Sequence, residues 1–449
     1  MSVLQRLDDF ARRQKRHWVA EVRRWIKRAR HEGGRQAERR WADVARATSR
    51  WGRKVARETE LRGPKLLKPM KMLLEHLRNA PLAIRNVTRK VLLRAWGLRR
   101  PAVRWYAHRQ RQGEKWALLS AESGIVREIE RIAERGEPII VGPWMSEVGY
   151  EALYWVPFVR WVQSSFRIKP EQMLVLSRGG AGSWYADITP HRVEIFDHVT
   201  PEAFAAYNAG RVAVPGGSVK QFEVSPFEGD LVERARTEWG VPRAQVLHPS
   251  LMYRLFQQFW AGNRALSFLD EHAIYRPIEA PPASATSVRD LPDGYVAMKF
   301  YTAQSLQSTP HTRALLRALI AGVAERHPVV LLDTGLSLDD HDDYAFAPAN
   351  RVVSAREWID ARSNLATQTH IIAGAKAFVG TCGGIAWLAP MLGVDTTAVM
   401  SDDKALTVHL QVARRVGRVL NRGRFTPLDL GSLDGLGLTI SRAVGEPGA

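Results

Sequence analysis

Residues 376–400 read KAFVGTCGGIAWLAPMLGVDTTAVM. Ala377–Val379 is a short apolar run of the kind buried strands show, and it enters Gly380-Thr381-Cys382-Gly383-Gly384 directly. A helix is expected over Gly384–Leu392 and a further strand over Thr396–Met400. Strand, tight turn, helix and strand in this order make a βαβ unit with parallel strands. The turn is the chemical part of the segment. Glycines let a ligand approach the backbone, and the first N–H groups of the helix together with its dipole favour a phosphate. Thr381 adds a hydroxyl. A strand-to-helix turn that binds nothing carries the same signature, and the spacing fits neither the dinucleotide fingerprint nor the P-loop.

The same alternation extends on both sides. Upstream, strands are expected at Ile139–Val141, Met173–Leu176 and Val193–Phe196, with helices over Gly149–Val162 and Pro201–Tyr207. Pro277, Pro281, Pro282, Ser284, Ser287 and Pro292 then mark a linker. Beyond it, strands are expected at Tyr295–Phe300 and Val329–Leu332, with helices over Thr312–Ala324 and Asn364–Ala375. The fold class that follows is α/β, with two Rossmann-like domains facing a cleft. The expected boundaries are 113–283 and 284–449, after a basic α-helical arm over 1–112.

Charge separates the arm from the body. Residues 1–112 hold 32 Lys+Arg against 9 Asp+Glu, and the remainder holds 33 against 37. Leu4, Leu7, Ala11, Trp18, Val22 and Trp25 recur at helical spacing between the basic residues. Amphipathic basic helices of this kind suit an anionic membrane surface. Helical packing or oligomerisation accounts for the same pattern. Nucleic acid fits the charge, but no zinc finger, homeodomain or RNA-recognition signature accompanies it. The single cysteine, Cys382, excludes an internal disulfide and a cysteine zinc site, and points to a reducing compartment. No apolar run reaches the roughly 18 residues of a membrane span, and arginines interrupt the place of a signal peptide's apolar stretch. A cytoplasmic protein, peripheral on the inner membrane face, is the expectation.

The turn at 380–384, followed by Leu388-Ala389-Pro390-Met391-Leu392-Gly393 and a strand, resembles the carboxy-terminal donor-binding element of GT-B glycosyltransferases, closest to their heptosyltransferase-like branch. That branch carries Asp-Thr-Gly and a His, where this chain has Cys382-Gly383-Gly384 and Trp387. Asp333-Thr334-Gly335 lacks the flanking context and does not replace it. The resemblance implies that Gly380, Thr381, Cys382, Gly383 and Gly384 hold the donor diphosphate, with Lys299 neutralising the leaving group. It also implies a carboxylate in the loop after the first strand that takes the proton of the acceptor hydroxyl. Glu147 is the candidate, being nearer the strand end than Glu151, although acidic residues near helix N-termini need no catalytic role. Arg178 is a candidate contact for an anionic group, and Trp184 and Tyr185 for a sugar face, or else these aromatics close the core.

Asp339-Asp340-His341-Asp342-Asp343 has the density of a magnesium site, but an acidic surface loop explains it as well, and no metal is assigned. His341, Asn364, Gln368 and Thr369 are further cleft candidates. The implied activity is inverting, metal-independent transfer of a sugar from a nucleoside-diphosphate donor, with no separate cofactor. The acceptor would be a saccharide or lipid-linked glycan in cell-envelope polysaccharide synthesis. A non-catalytic nucleotide- or sugar-binding scaffold with a membrane- or nucleic-acid-binding arm is the alternative.

Overall fold

The continuous apolar runs at 139–141, 173–177, 296–299 and 329–331 become strands covered on both faces, as parallel sheets require. The structure is a computed structural model and describes residues 119–431, apart from 214–217, 219, 337, 339, 340, 348 and 405. The expected basic arm over 1–112 lies outside the described residues, as do Asp339 and Asp340.

After a helix over 119–134, the first sheet takes β1 (Ile139–Val141), β2 (Met173–Ser177), β3 (His191–Glu194) and β4 (Gln245–Leu247) in the order β3-β2-β1-β4, all parallel. The second sheet takes β5 (Val296–Lys299), β6 (Val329–Leu331), β7 (Val352–Ser354), β8 (Ala377–Thr381), β9 (Thr396–Met400) and β10 (Phe425–Asp429). Its order is β10-β9-β8-β5-β6-β7, again wholly parallel. Two parallel α/β sheets are the architecture expected from the sequence and the one the GT-B resemblance implies.

Among the described residues, ten α-helices follow that first one: α1 (Val148–Tyr150), α2 (Val156–Ser165), α3 (Pro201–Ala213), α4 (Pro226–Glu238), α5 (Pro249–Trp260), α6 (Leu266–His272), α7 (Pro310–Ala324), α8 (Asn364–Ala373), α9 (Gly384–Leu388) and α10 (Thr407–Leu420). A π-helical turn, Glu151–Trp155, joins α1 to α2.

The strand order positions the site. In each sheet the chain leaves a central strand, builds outward on one side, then crosses back: from β1 and β3 to β4, and from β5 and β7 to β8. Ligands of open α/β sheets gather beyond the strand ends at such reversals. The loop after β1 (142–147) and the turn after β8 (382–384) therefore both occupy switch points.

Two corrections concern elements. The third strand begins at His191 and gives way to a 3-10 turn at Ile195–Asp197, where the alternation predicts strand to Phe196. The strands β4, β7 and β10 have no counterpart among those expected, and each is an edge strand of its sheet. Edge strands need no continuous apolar run. β10 even carries Pro427, which an edge tolerates because its missing N–H faces no neighbour.

Candidate active site

A cleft of about 580 Å³ separates the two switch points. Its floor is where the halves touch. A Cβ built on Gly149 would come within 2.8 Å of the Gly384 nitrogen and 2.9 Å of the Trp387 ring, so only glycine lets α1 approach the turn after β8 this closely.

On the first-sheet side, the loop after β1 is strapped down from three directions. Gln221, fully buried, accepts from Met145 N at 2.9 Å and donates through Nε2 to Pro143 O at 2.8 Å. Arg178 Nη2 donates to Ser146 O at 2.9 Å, and the Ser146 and Tyr253 hydroxyls lie 2.7 Å apart. These bonds leave Glu147 half-buried on the cleft wall, as the residue that precedes α1. Glu151 diverges from it. The π turn points its carboxyl into the core, where Oε1 accepts from Tyr185 Oη at 2.7 Å and Oε2 has no hydrogen-bond partner among the described residues. Burial pushes the Glu151 carboxyl up to about 7.

Arg178 lines the cleft but is only 2% exposed, and its guanidinium lies 5.4 Å from the Phe204 ring centre. The glycines after it are filled from within the protein. Glu194 accepts from Gly179 N and Gly180 N at 2.8 Å each, and Gly179 O accepts from Leu365 N and Ala366 N at the start of α8. Trp184 and Tyr185 do not reach the cleft. Both are buried, with Trp184 Nε1 donating to Thr369 Oγ1 at 3.0 Å and Tyr185 held by Glu151. They follow the core alternative, because the 3-10 turn Ala181–Tyr185 folds them under β2.

On the second-sheet side, the five residues 380–384 divide into two roles. Gly380 pairs with Lys299 in the sheet, and a Cβ there would meet Lys299 O at 2.5 Å. Thr381 uses its hydroxyl structurally: it accepts from Tyr301 N at 2.9 Å and donates to Tyr301 O at 3.1 Å. Neither residue lines the cleft. Cys382, Gly383 and Gly384 do. Burial pushes the Cys382 thiol up to about 12, so at neutral pH it is no nucleophile. Gly383 and Gly384 have φ of 137° and 41°, and a Cβ on either would crowd Tyr301 Oη at 2.8 and 2.9 Å. Of the first N–H groups of α9, that of Ala386 donates to Gly383 O at 2.9 Å, and those ahead of it have no acceptor within the helix.

Lys299 reaches the cleft already neutralised. Its Nζ lies 2.8 Å from Asp343 Oδ1 and donates to Leu332 O at 2.9 Å. Asp343 also accepts from Thr334 N and Thr334 Oγ1. One member of the acidic run thus serves as an internal counter-ion, and His341 lies beside it with its ring 5.0 Å from that of Tyr301. Among the described residues, no group of three or more His, Cys, Asp or Glu is placed to hold a metal ion.

Two further cleft residues, Lys220 and His409, carry no signal in the sequence. Lys220 places Nζ 4.7 Å above the Tyr150 ring and makes no ion pair among the described residues. His409, on α10, sits with Nδ1 2.6 Å from Tyr154 Oη and Nε2 3.2 Å from Tyr150 Oη. Burial, then the charge of Lys220, lowers the His409 pKa to about 4, so it is neutral in ordinary buffers. A helical period over 407–420 would have found α10, but nothing local says that its first turn faces a cleft. Asn364 and Gln368 do line the cleft, whereas Thr369 turns inward to Trp184.

The sequence matches no protein-family model and no curated protein. Among solved structures, the chain is similar to ADP-heptose LPS heptosyltransferase II of E. coli, with 12% identity and a TM-score of 0.35 over 66% of this chain and 91% of that one. It is similar also to UDP-GlcNAc 2-epimerase from Methanocaldococcus jannaschii, with 7% identity and a TM-score of 0.28 over 65% and 88%. A further UDP-N-acetylglucosamine 2-epimerase gives 11% and 0.27 over 69% and 88%. At this similarity none of them speaks to substrate or reaction, which the residues of the cleft must supply.

Proposed function

We propose that the chain is a GT-B glycosyltransferase that moves a sugar from a nucleoside-diphosphate donor to a saccharide or lipid-linked glycan acceptor in cell-envelope polysaccharide synthesis. One observation carries this reading: a carboxylate, Glu147, and a glycine turn, Gly383–Gly384, come from separate switch points to one cleft of small-molecule size. Glu147 takes the proton of the acceptor hydroxyl as its oxygen bonds to the anomeric carbon, with inversion. The bond to the diphosphate breaks, and the electron pair leaves with the nucleoside diphosphate. The backbone of the glycine turn, with Lys220 and Arg178 on the facing wall, receives that negative charge without a metal. Lys299 is better suited to orienting this region than to neutralising the leaving group, since Asp343 already balances it.

The test is a thermal-shift panel of UDP-, GDP-, ADP- and dTDP-sugars on the full chain, followed by detection of released nucleoside diphosphate with a glycan acceptor mixture. Selective binding raises the melting temperature by mass action. Glu147→Gln should lower turnover at least about a hundredfold while donor affinity stays within about twofold. Unchanged turnover would remove Glu147 from the mechanism, and no donor binding would remove the transferase reading. Selective binding without turnover by the wild type would favour the scaffold alternative, to which the replacement of the branch's Asp and His by Cys382 and Trp387 already lends support.

A further inference from the structure

Helix α8 begins against the first-sheet half, with the N–H groups of Leu365 and Ala366 both donating to Gly179 O at 2.7 and 2.9 Å. Its first turn is thereby closed to an anion. What it presents to the cleft is an amide pair. Asn364 and Gln368, four residues apart on one helical face, are 6% and 1% exposed, yet both line the cleft. Gln368 Nε2 donates to Asn364 Oδ1 at 2.6 Å. That bond fixes both amides and leaves one acceptor, Gln368 Oε1, beside one donor group, Asn364 Nδ2. Reversing both amides exchanges the two roles and leaves the same couple.

Gln368 Oε1 has no hydrogen-bond partner among the described residues, and neither has Arg178 Nε, which lines the cleft next to the Gly179–Leu365 junction. A buried acceptor and a buried donor left unmet are each unfavourable, and a leucine in either place would avoid that penalty. Arg178 also straps the loop after β1 through Nη2, and that bond leaves its Nε unmet. A group that satisfies both must donate to Gln368 and accept from Arg178 or Asn364. A fully ionised phosphate or carboxylate cannot donate, and an apolar group can do neither. A hydroxyl does both, and a pyranose offers adjacent hydroxyls at the spacing of a donor–acceptor couple.

We infer that Asn364 and Gln368, with Arg178 opposite, read the hydroxyls of a saccharide unit in the cleft and set which sugar is accepted. This deepens the transferase reading and rests on it for the nature of the ligand.

The test uses the full chain, its Gln368→Leu variant and, as a second variant of similar shape should leucine disturb folding, Gln368→Met. The probes are methyl α-D-gluco-, galacto- and mannopyranoside, the matching nucleoside-diphosphate hexoses, and the nucleoside diphosphates alone, with affinities measured by titration calorimetry and saturation-transfer NMR. Both variants should bind the saccharide-bearing probes about tenfold or more weakly, while affinity for the bare nucleoside diphosphate stays within about twofold. Among monodeoxy analogues of the hexose that binds, one should bind wild type and variant alike, because the contact it lacks is the one the variant has lost. Saccharide affinities equal to wild type in both variants would overturn the inference, leaving a bound water as the partner of Gln368. So would a wild type that binds nucleoside diphosphate but no saccharide-bearing form more tightly. If methyl glycosides bind, and are lost in the variants, while no nucleotide binds, the inference stands and the transferase reading falls. Binding of none of the probes would overturn both.

Discussion

Glu147 and Glu151 stand four residues apart with opposite fates. One faces the cleft beside α1, and the other is fully buried with its carboxyl pushed up to about 7 by desolvation, which outweighs the nearby Arg178 charge and the Tyr185 hydrogen bond. In the unfolded chain that carboxyl has an ordinary value of 4.5. The folded state therefore binds the extra proton between these two values. The stability this group contributes is full below about 4.5, declines as pH rises, and is gone above about 7. Between pH 5 and 8, Glu151→Gln should reduce the fall in unfolding free energy by up to about 3 kcal/mol, since each unit of pKa shift is worth about 1.4 kcal/mol. Glutamine keeps the acceptor for Tyr185 and mimics the protonated acid. Denaturant titrations of both proteins at the two pH values measure this, and an unaltered pH slope would show that Glu151 is ionised in the fold. Glu194, also raised to about 7 by burial, adds to the fall in the same window, while His409, lowered to about 4, contributes a rise between about 4 and 6.5.

The loop after β2 shows how an apparent ligand cradle becomes an internal joint. Gly179 and Gly180 have φ of 63° and 76°, and their N–H groups converge on a carboxylate as an anion nest would. The carboxylate is the protein's own Glu194. The opposite face of the loop receives α8, and a Cβ on Gly180 would lie 2.6 Å from Ala366 Cβ. Gly180→Ala should thus destabilise the fold by about 1–3 kcal/mol, from strain at positive φ and from the displaced helix. Adding Ala366→Gly should recover the steric part only. A thermal-unfolding double-mutant cycle separates the two, and additive losses would mean that the helix does not press on this loop.

At the scale of the molecule, two sheets oppose their switch points across one cleft, joined by bonds that run between them. Trp184 reaches Thr369, Tyr150 and Tyr154 hold His409, and Arg415 makes a bidentate pair with Asp270. No helix of the described residues is long and apolar enough to cross a membrane. The proposed membrane contact rests on the basic residues of 1–112 alone. The full chain should co-sediment with phosphatidylglycerol vesicles at low salt, release as salt rises, and ignore vesicles of neutral lipid. Salt-sensitive binding to DNA or RNA with no vesicle binding would assign the arm to nucleic acid instead.

The parallel α/β class is legible from residue order alone, because strands buried on both faces must be apolar throughout, and 139–141, 173–177, 296–299 and 377–381 are nearly so. That order also marks the glycine turn, because positive φ and a crowding Tyr301 leave no room for a side chain at Gly383 and Gly384. The edge strands, whose half-exposed residues carry no such pattern, and the partners of each polar side chain emerge only from the folded arrangement. Lys299, Thr381 and Trp184 looked available because a sequence lists groups without their neighbours. Asp343, Tyr301 and Thr369 occupy them through contacts between distant segments. Polar atoms left over after that internal pairing, those of Gln368 and Arg178 among them, can be recognised only once every other partner has been placed.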